Sequence, residues 1–314
     1  MSDPFTLAAI RTGETLALLE VLAEFNYPTV ISTKSAFVSQ EPSIGILKRG
    51  TFIVQFSFST PCKDTSKILE PRASSPADRM EAVRALVGSY IPTTLRLQPV
   101  LPGHENSVDS LIEEAGDSGV FHVAAEFLKV GSEASQASRA RLNRGVGIDV
   151  AEHYKKAGAR YIGREYVLPI ELRFPHHQRW RELAHSKAMT YGFADLDLLH
   201  LSDGRCCCSG IDAIQGFQGF NRFTITEATK TAMELKAPVR IEHIVEYFTP
   251  RSTISHWVNS RVRRAVNTPA APIEAYIRHK WLTYSSHLTP AMFQGIERDQ
   301  SNPEQFIVEV DEAH

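Results

Sequence analysis

The sequence predicts an α/β fold: a partial, TIM-like (β/α) barrel of parallel strands over residues 1–220, then a mainly α-helical extension over residues 221–314. Three observations predict it. Apolar, β-branched stretches alternate with amphipathic ones across residues 12–130, with short connections; that alternation builds a parallel sheet with covering helices. Polar groups collect where the apolar stretches end, as in FSFST (56–60), and ligands in such folds sit at the carboxyl ends of the strands. From about Phe223 the composition turns helical, in TITEATKTAMEL, RIEHIVEYF and APIEAYIRHKWLTYSSHL, which places a soft boundary near residue 220.

Taken in order, TGETLALLEVLAEFN (12–26) has apolar residues at helical spacing with Thr12 as N-cap. YPTVISTK (27–34) is a short strand, and EPSIGILKRG (41–50) a short helix closed by Gly50. Residues 51–60 form a strand. Residues 75–88 form a helix, with Ser75 capping, Pro76 in the first turn and Gly88 at the end. A strand (93–99), a helix (106–119) and a strand (120–130) follow. Beyond Gly131 the alternation loosens. Residues 145–158 and 180–193 read as helices, 164–174 as a strand or ordered loop, and 194–210 as turn-rich. The acidic last residues, 304–314, read as frayed.

The 314 residues are 43% hydrophobic and 22% charged, an ordinary globular composition. A net charge of −2 gives no global sign of a nucleic-acid partner. No apolar run approaches the roughly 18–20 residues that span a bilayer. MSDPFTLAAIRTGET lacks the basic-then-apolar order of a secretory signal. Four cysteines, three of them adjacent, do not make a disulfide framework. The expected location is the cytoplasm.

Several residue types fall where chemistry could occur. Lys34, just past a parallel strand, points into the cleft and can pair with a carboxylate, or is a solvated loop lysine. In FSFST, Phe56, Phe58 and Thr60 share one face and Ser57 and Ser59 the other. Hydroxyls at Ser59 and Thr60 can bond a ribose or an amino-acid carboxylate, or can cap the following helix. Glu70 and Arg72 can contact ligand or pair with each other. Arg96 and Gln98 share a face opposite Leu95 and Leu97. Burying Arg96 is costly without an anion, either a ligand carboxylate or Glu70.

Cys206 and Cys208 can converge on a metal while Cys207 points away, with His200 as a further ligand; a redox-sensitive or buried thiol loop is the alternative. Cys62 is isolated and reads as structural. Arg251, Arg261, Arg263 and Arg264 around Trp257 suit a nucleic-acid backbone and stacked bases, or a solvated helix face. The adjacent His176 and His177 read as surface.

The run 51–103, with FSFST, LEPR and TTLRLQPVLPG, together with Thr33-Lys34, resembles the radical-SAM superfamily. The branch it resembles is that of spore photoproduct lyase and the DNA-repair photolyases. MSDPF is similar to the family's "TDP-aromatic" string, and Pro102-Gly103 to its "P-x-x-PG" turn. The resemblance covers residues 3–130. It implies that Lys34, Ser59, Thr60 and Arg96 hold S-adenosylmethionine, with Glu70 and Arg72 near the reacting centre. The implied parent chemistry is reductive cleavage of that cofactor at a 4Fe–4S cluster, then hydrogen abstraction by a 5′-deoxyadenosyl radical from a substrate that can be nucleic acid.

One departure is sharp: the sequence has no Cys-x3-Cys-x2-Cys triplet. In the family, the cluster loop and first strand precede the segment matched here. The expectation is therefore a truncated enzyme, inactive alone, with an exposed or repaired edge beside residues 27–34. A late start, a fragment served by a separate cluster-bearing polypeptide, and a decayed homologue all fit. The alternatives are a non-catalytic nucleotide- or nucleic-acid-binding protein and a zinc or redox protein centred on Cys206 and Cys208.

Overall fold

The computed structural model describes residues 3–162, 165–206, 208–222, 224–245, 273–283 and 289–308. The chain divides into two units, Met1–Asp195 with Ser202–Phe217, and Leu196–Leu201 with Gln218–His314.

The first unit begins with α1 (Leu7–Thr12), α2 (Glu14–Glu24), β1 (Thr29–Thr33), α3 (Ser43–Leu47) and β2 (Phe52–Phe58). There follow α4 (Lys63–Leu69), α5 (Pro76–Gly88), β3 (Thr93–Val100), α6 (Asn106–Asp117), β4 (His122–Phe127) and β5 (Val130–Gly131). It continues with α7 (Gln136–Val146), α8 (Val150–Lys156), β6 (Arg160–Ile162), β7 (Glu165–Val167), α9 (Ile170–Ser186) and β8 (Thr190–Phe193). Five strands form one sheet in the order β1-β2-β3-β4-β8, every neighbouring pair parallel. This is the parallel α/β sheet that the alternating pattern predicts. A small antiparallel sheet, β5-β7-β6, stands beside it in sequence.

Local signals explain most boundaries. The Ser75 hydroxyl accepts from Asp78 N–H and Pro76 opens α5, as its sequence reads. Elsewhere the chain departs from the pattern. Residues 12–26 are not one helix: Gly13 adopts φ +72°, so Thr12 ends α1 and α2 starts afresh. Gly147, at φ +84°, likewise separates α7 from α8, where one helix over 145–158 was expected. Residues 180–193 are the end of α9 and then β8. The break between them is at Ala188, in the left-handed region at φ +58° with no Gly or Pro to announce it.

Register assigns the two faces of the sheet. Ser32 lies beside Gln55, Gln55 beside Thr94, Ser57 beside Arg96, and Thr94 and Arg96 beside His122 and Ala124. These residues share the inner face. Phe56, Phe58, Leu95, Leu97, Val123, Phe127, Tyr191 and Phe193 share the outer face and are buried. Helices cover that outer face: Arg79 of α5 lies over the Phe58 ring, and Trp180 of α9 stacks on Phe127.

The inner face is closed at its amino end by the chain returning after Ser202. Ile211 and Phe217 pack on Ile53, with Val30, Phe121 and Ile214 around them. The Gln55 amide donates to the Cys208 carbonyl. A Cβ on Gly210 would sit 2.7 Å from the His122 ring, and the residue has φ +59°, so glycine is required there.

The second unit holds α10 (Ile225–Leu235), β9 (Val239–Arg240), α11 (Glu242–Val245), α12 (Ile273–Trp281), β10 (Ile296–Arg298) and β11 (Gln305–Val308). Ala228, Ala232, Ile244, Trp281, Phe293 and Phe306 are among its core. Helix outweighs strand here, but an antiparallel sheet, β10-β11-β9, was not legible in the sequence. Arg251, Trp257, Arg261, Arg263 and Arg264 lie outside the described residues. Among the described residues no helix is long and apolar enough to cross a membrane.

Candidate functional site

Parallel strands bring their carboxyl ends to one rim, so the residues just past β1, β2, β3 and β4 become neighbours by topology alone. At the first two strands the rim is organised by Glu70, which follows α4. Its Oε1 accepts from the Lys34 ammonium and from the Ser59 hydroxyl (2.9 Å). Its Oε2 accepts from Arg79 Nη2 (2.9 Å). Arg79 is fully buried and also donates to Ser57 O (2.6 Å) and Ser66 Oγ (3.0 Å).

Burial alone would raise the Glu70 carboxyl. The positive charges of Arg79 and Lys34 and the bonds from Lys34 and Ser59 outweigh it and hold Glu70 below the ordinary carboxylate range. Glu70 is therefore an anion and a hydrogen-bond acceptor at neutral pH, not a proton donor. Burial lowers the Arg79 guanidinium, opposed by Glu70.

Asp3 completes this end of the rim. Its Oδ1 accepts from the Thr33 hydroxyl (2.8 Å) and from Phe5 N–H (2.8 Å), and its Oδ2 from Lys34 N–H (2.6 Å). Two carboxylates thus face two cations, and the group is balanced.

The second centre sits on β3 and β4. Glu126, nearly buried, accepts from Gln98 and Lys129 and pairs with Arg96 Nη2 at 3.5 Å. Two cations share one carboxylate, so this group carries one positive charge in excess. Arg96 Nε and Thr94 Oγ1 are buried and have no hydrogen-bond partner among the described residues. Both belong to the inner face, next to one another along β3. Buried polar atoms are almost always satisfied, so this pair, like Arg79 Nε, can take a further acceptor.

Lys34, Ser59 and Glu70 are thus brought together. Arg96 is on the same polar rim, but its anion is Glu126 rather than Glu70. The Thr60 hydroxyl is buried and accepts from Cys62 N–H (3.1 Å). Arg72 is exposed and forms no ion pair among the described residues, and Glu70 pairs with Lys34 and Arg79 instead. Cys206 Sγ contacts Ser209 Oγ (3.3 Å) and its N–H donates to Asp212 (2.8 Å).

Sequence reasoning missed Arg79, hidden in a regular helix pattern, and Asp3. It also missed Glu126, although a lone carboxylate in the apolar run HVAAEF was a visible signal. His177 differs from its surface reading. It is not on the surface but on the buried side of α9, with Nδ1 2.7 Å from Tyr191 Oη and Nε2 2.9 Å from Asp195 Oδ2. Asp195 pairs in turn with Arg173 (3.0 Å). Burial would raise Asp195, but His177 and Arg173 hold it low.

The thiolate set for an iron–sulfur cluster is not present among the described residues. They contain no group of three or more His, Cys, Asp or Glu side chains able to hold a metal ion. Cys62 is exposed at the start of α4, apart in sequence from Cys206 and Cys208.

No protein-family model matches the chain, and no curated protein matches it in sequence. Among solved structures it is similar to spore photoproduct lyase complexed with dinucleoside spore photoproduct, with a TM-score of 0.43 and 16% identity over 60% of this chain and 55% of that one. It is also similar to a double mutant of that lyase with bound AdoMet and dinucleoside spore photoproduct, with a TM-score of 0.41 and 16% identity over 55% of this chain and 52% of that one. The chain spans about half the length of the solved structures it matches.

Proposed function

We propose that the chain binds an adenosyl sulfonium ligand, S-adenosylmethionine, on the polar inner face of its parallel sheet, as a protein of radical-SAM type. The observation that carries the reading is the unsatisfied pair Arg96 Nε and Thr94 Oγ1 inside a group with one excess positive charge. An amino-acid carboxylate supplies both the charge and the acceptors that this pair lacks. Lys34 is one-third exposed while Arg79 is buried. Lys34 can therefore turn to a ligand while Arg79 keeps Glu70 neutralised. Ser59 lies at the end of β2, where its hydroxyl can meet a ribose, while the buried Thr60 hydroxyl braces the following turn by accepting from Cys62 N–H. Glu70 acts by positioning Lys34 and Ser59, and Arg72 stands at the exposed margin.

When bound beside a reducing cluster, the sulfonium would supply a carbon-centred radical. The described residues do not furnish that cluster. Nucleic acid as the substrate or partner is supported by α7 and the β5-β7-β6 sheet. Arg139, Arg141, Arg144 and Arg160 are exposed there, as are Tyr161 and Tyr166, whose rings lie 5.1 Å apart. Exposed arginine with stackable aromatics suits single strands.

The test is calorimetric titration with S-adenosylhomocysteine. Micromolar binding is expected, weakened about tenfold or more by Arg96→Ala and by Lys34→Ala, because hydrogen bonds to charged groups are worth about 1.5–3 kcal/mol. Absence of binding, or binding indifferent to both substitutions, would refute the assignment.

A further inference from the structure

The single excess charge of the second centre is set by Glu126. This residue falls two positions after Ala124 on β4, and so on the inner face with Arg96 and Gln98 of β3. Between the pairs Leu97–Ala125 and Val100–Phe127 the register shifts, β3 carrying one residue more than β4. Such a bulge re-aims the side chains beside it. Glu126 Oε1 accepts from the Lys129 ammonium and Oε2 from the Gln98 amide. Arg96 Nη2 stands 3.5 Å from the same Oε2, at the far limit of hydrogen bonding.

The three charged side chains differ in depth. Glu126 is 10% exposed, Lys129 22% and Arg96 28%. The carboxylate is the deepest of them, and its hydrogen-bonded cation is Lys129. Arg96 is the cation left over for a ligand. At the first centre Asp3 and Glu70 already balance Lys34 and Arg79.

That balance selects among anions. A carboxylate cancels one positive charge. A phosphate monoester carries about −1.5 to −2 at pH 7, and beside Arg96 it would leave a surplus of negative charge facing Glu126. Repulsion from a nearly buried carboxylate is poorly screened. Without Glu126, Arg96 and Lys129 would be two uncancelled cations, an arrangement that suits a phosphate.

We propose that Glu126 is a specificity-determining residue: by cancelling Lys129 it sets the site to a singly charged anion, admitting an amino-acid carboxylate and turning away a phosphate monoester of the same nucleoside. The inference rests on the ligand reading above and goes one step further, since that reading needs Arg96 and Thr94 while the choice between anions needs Glu126.

Calorimetric titration of the full chain at neutral pH with three ligands that share adenosine tests it. They are S-adenosylhomocysteine, 5′-methylthioadenosine, which lacks the amino-acid end, and AMP. The unaltered chain should bind S-adenosylhomocysteine at least about tenfold more tightly than either of the others. Glu126→Gln keeps the shape and removes the charge. It should bring AMP at least about tenfold closer to S-adenosylhomocysteine and leave methylthioadenosine unmoved. Lys129→Gln lets Glu126 cancel Arg96 instead, and should erase the preference for S-adenosylhomocysteine over methylthioadenosine. It decides the matter alone if Glu126→Gln fails to fold by circular dichroism. An equal change for all three ligands would make Glu126 a structural residue and overturn the proposal, as would AMP bound by the unaltered chain as tightly as S-adenosylhomocysteine. If the unaltered chain binds none of the three, the ligand reading falls and this proposal with it. If it binds S-adenosylhomocysteine but the substitutions leave the ratios unchanged, the proposal alone falls.

Discussion

Glu70 ties three stretches of chain together, through Lys34 after β1, Ser59 after β2 and Arg79 within α5. Removing its charge strands a fully buried guanidinium, and breaking one half of a buried pair costs about 3–5 kcal/mol. Glu70→Gln should therefore lower stability by about 3 kcal/mol in urea unfolding, well beyond the effect of any exposed glutamate. The pH sign follows from the depressed carboxyl. The stabilisation is complete above the unfolded value of about 4.3 and is lost as pH falls through the lower folded value. The Glu70→Gln chain should lack that acid-dependent loss. Lys34, Ser59 and Glu70 were legible because each is a polar residue just outside an apolar run. Arg79 was not, because its place on a helix gives no sign that its side chain turns under the sheet.

The helix α5 is the element that delivers Arg79, and its start rests on one side chain. Ser75→Ala removes the acceptor for Asp78 N–H, and loss of such a cap costs about 1 kcal/mol. A urea midpoint shift of that size, with an unchanged slope, is the expected outcome. Elements with punctuation were readable in advance: α5 had Ser-Pro at its head, and β2 and β3 were bounded by turn residues. The turn at Ala188 carried none, so α9 and β8 merged into one apparent helix. The strands β9, β10 and β11 are two to four residues long. Such strands are too short for alternation to declare itself, and their inward residues Val239, Ile296 and Phe306 belong to a core shared with Trp281.

At the scale of the molecule, the two units should respond differently to acid. His200 of the second unit is buried and stacks on Phe293 at 4.9 Å. Burial, aided by Lys230, pushes it down to about 4. The fold thus favours neutral His200. Its contribution is complete above the unfolded value of about 6.5 and is lost as pH falls from there towards 4, by up to about 3 kcal/mol. Hydrogen exchange, corrected for intrinsic rates, should show α10 opening earlier than β2 and β3 on acidification. His200→Gln should flatten that difference.

The threading of the chain carries one more consequence. Residues Leu196–Leu201 belong to the second unit, yet Ser202–Phe217 returns to the first and seals the amino end of its sheet. No single break in the gene can release either half intact. Ending translation at 217 would strip Gln294 and Phe293 away from Asp197 and His200, and ending it at 195 would leave Ile53 and His122 facing water. Either half made alone should therefore lack part of its own packing.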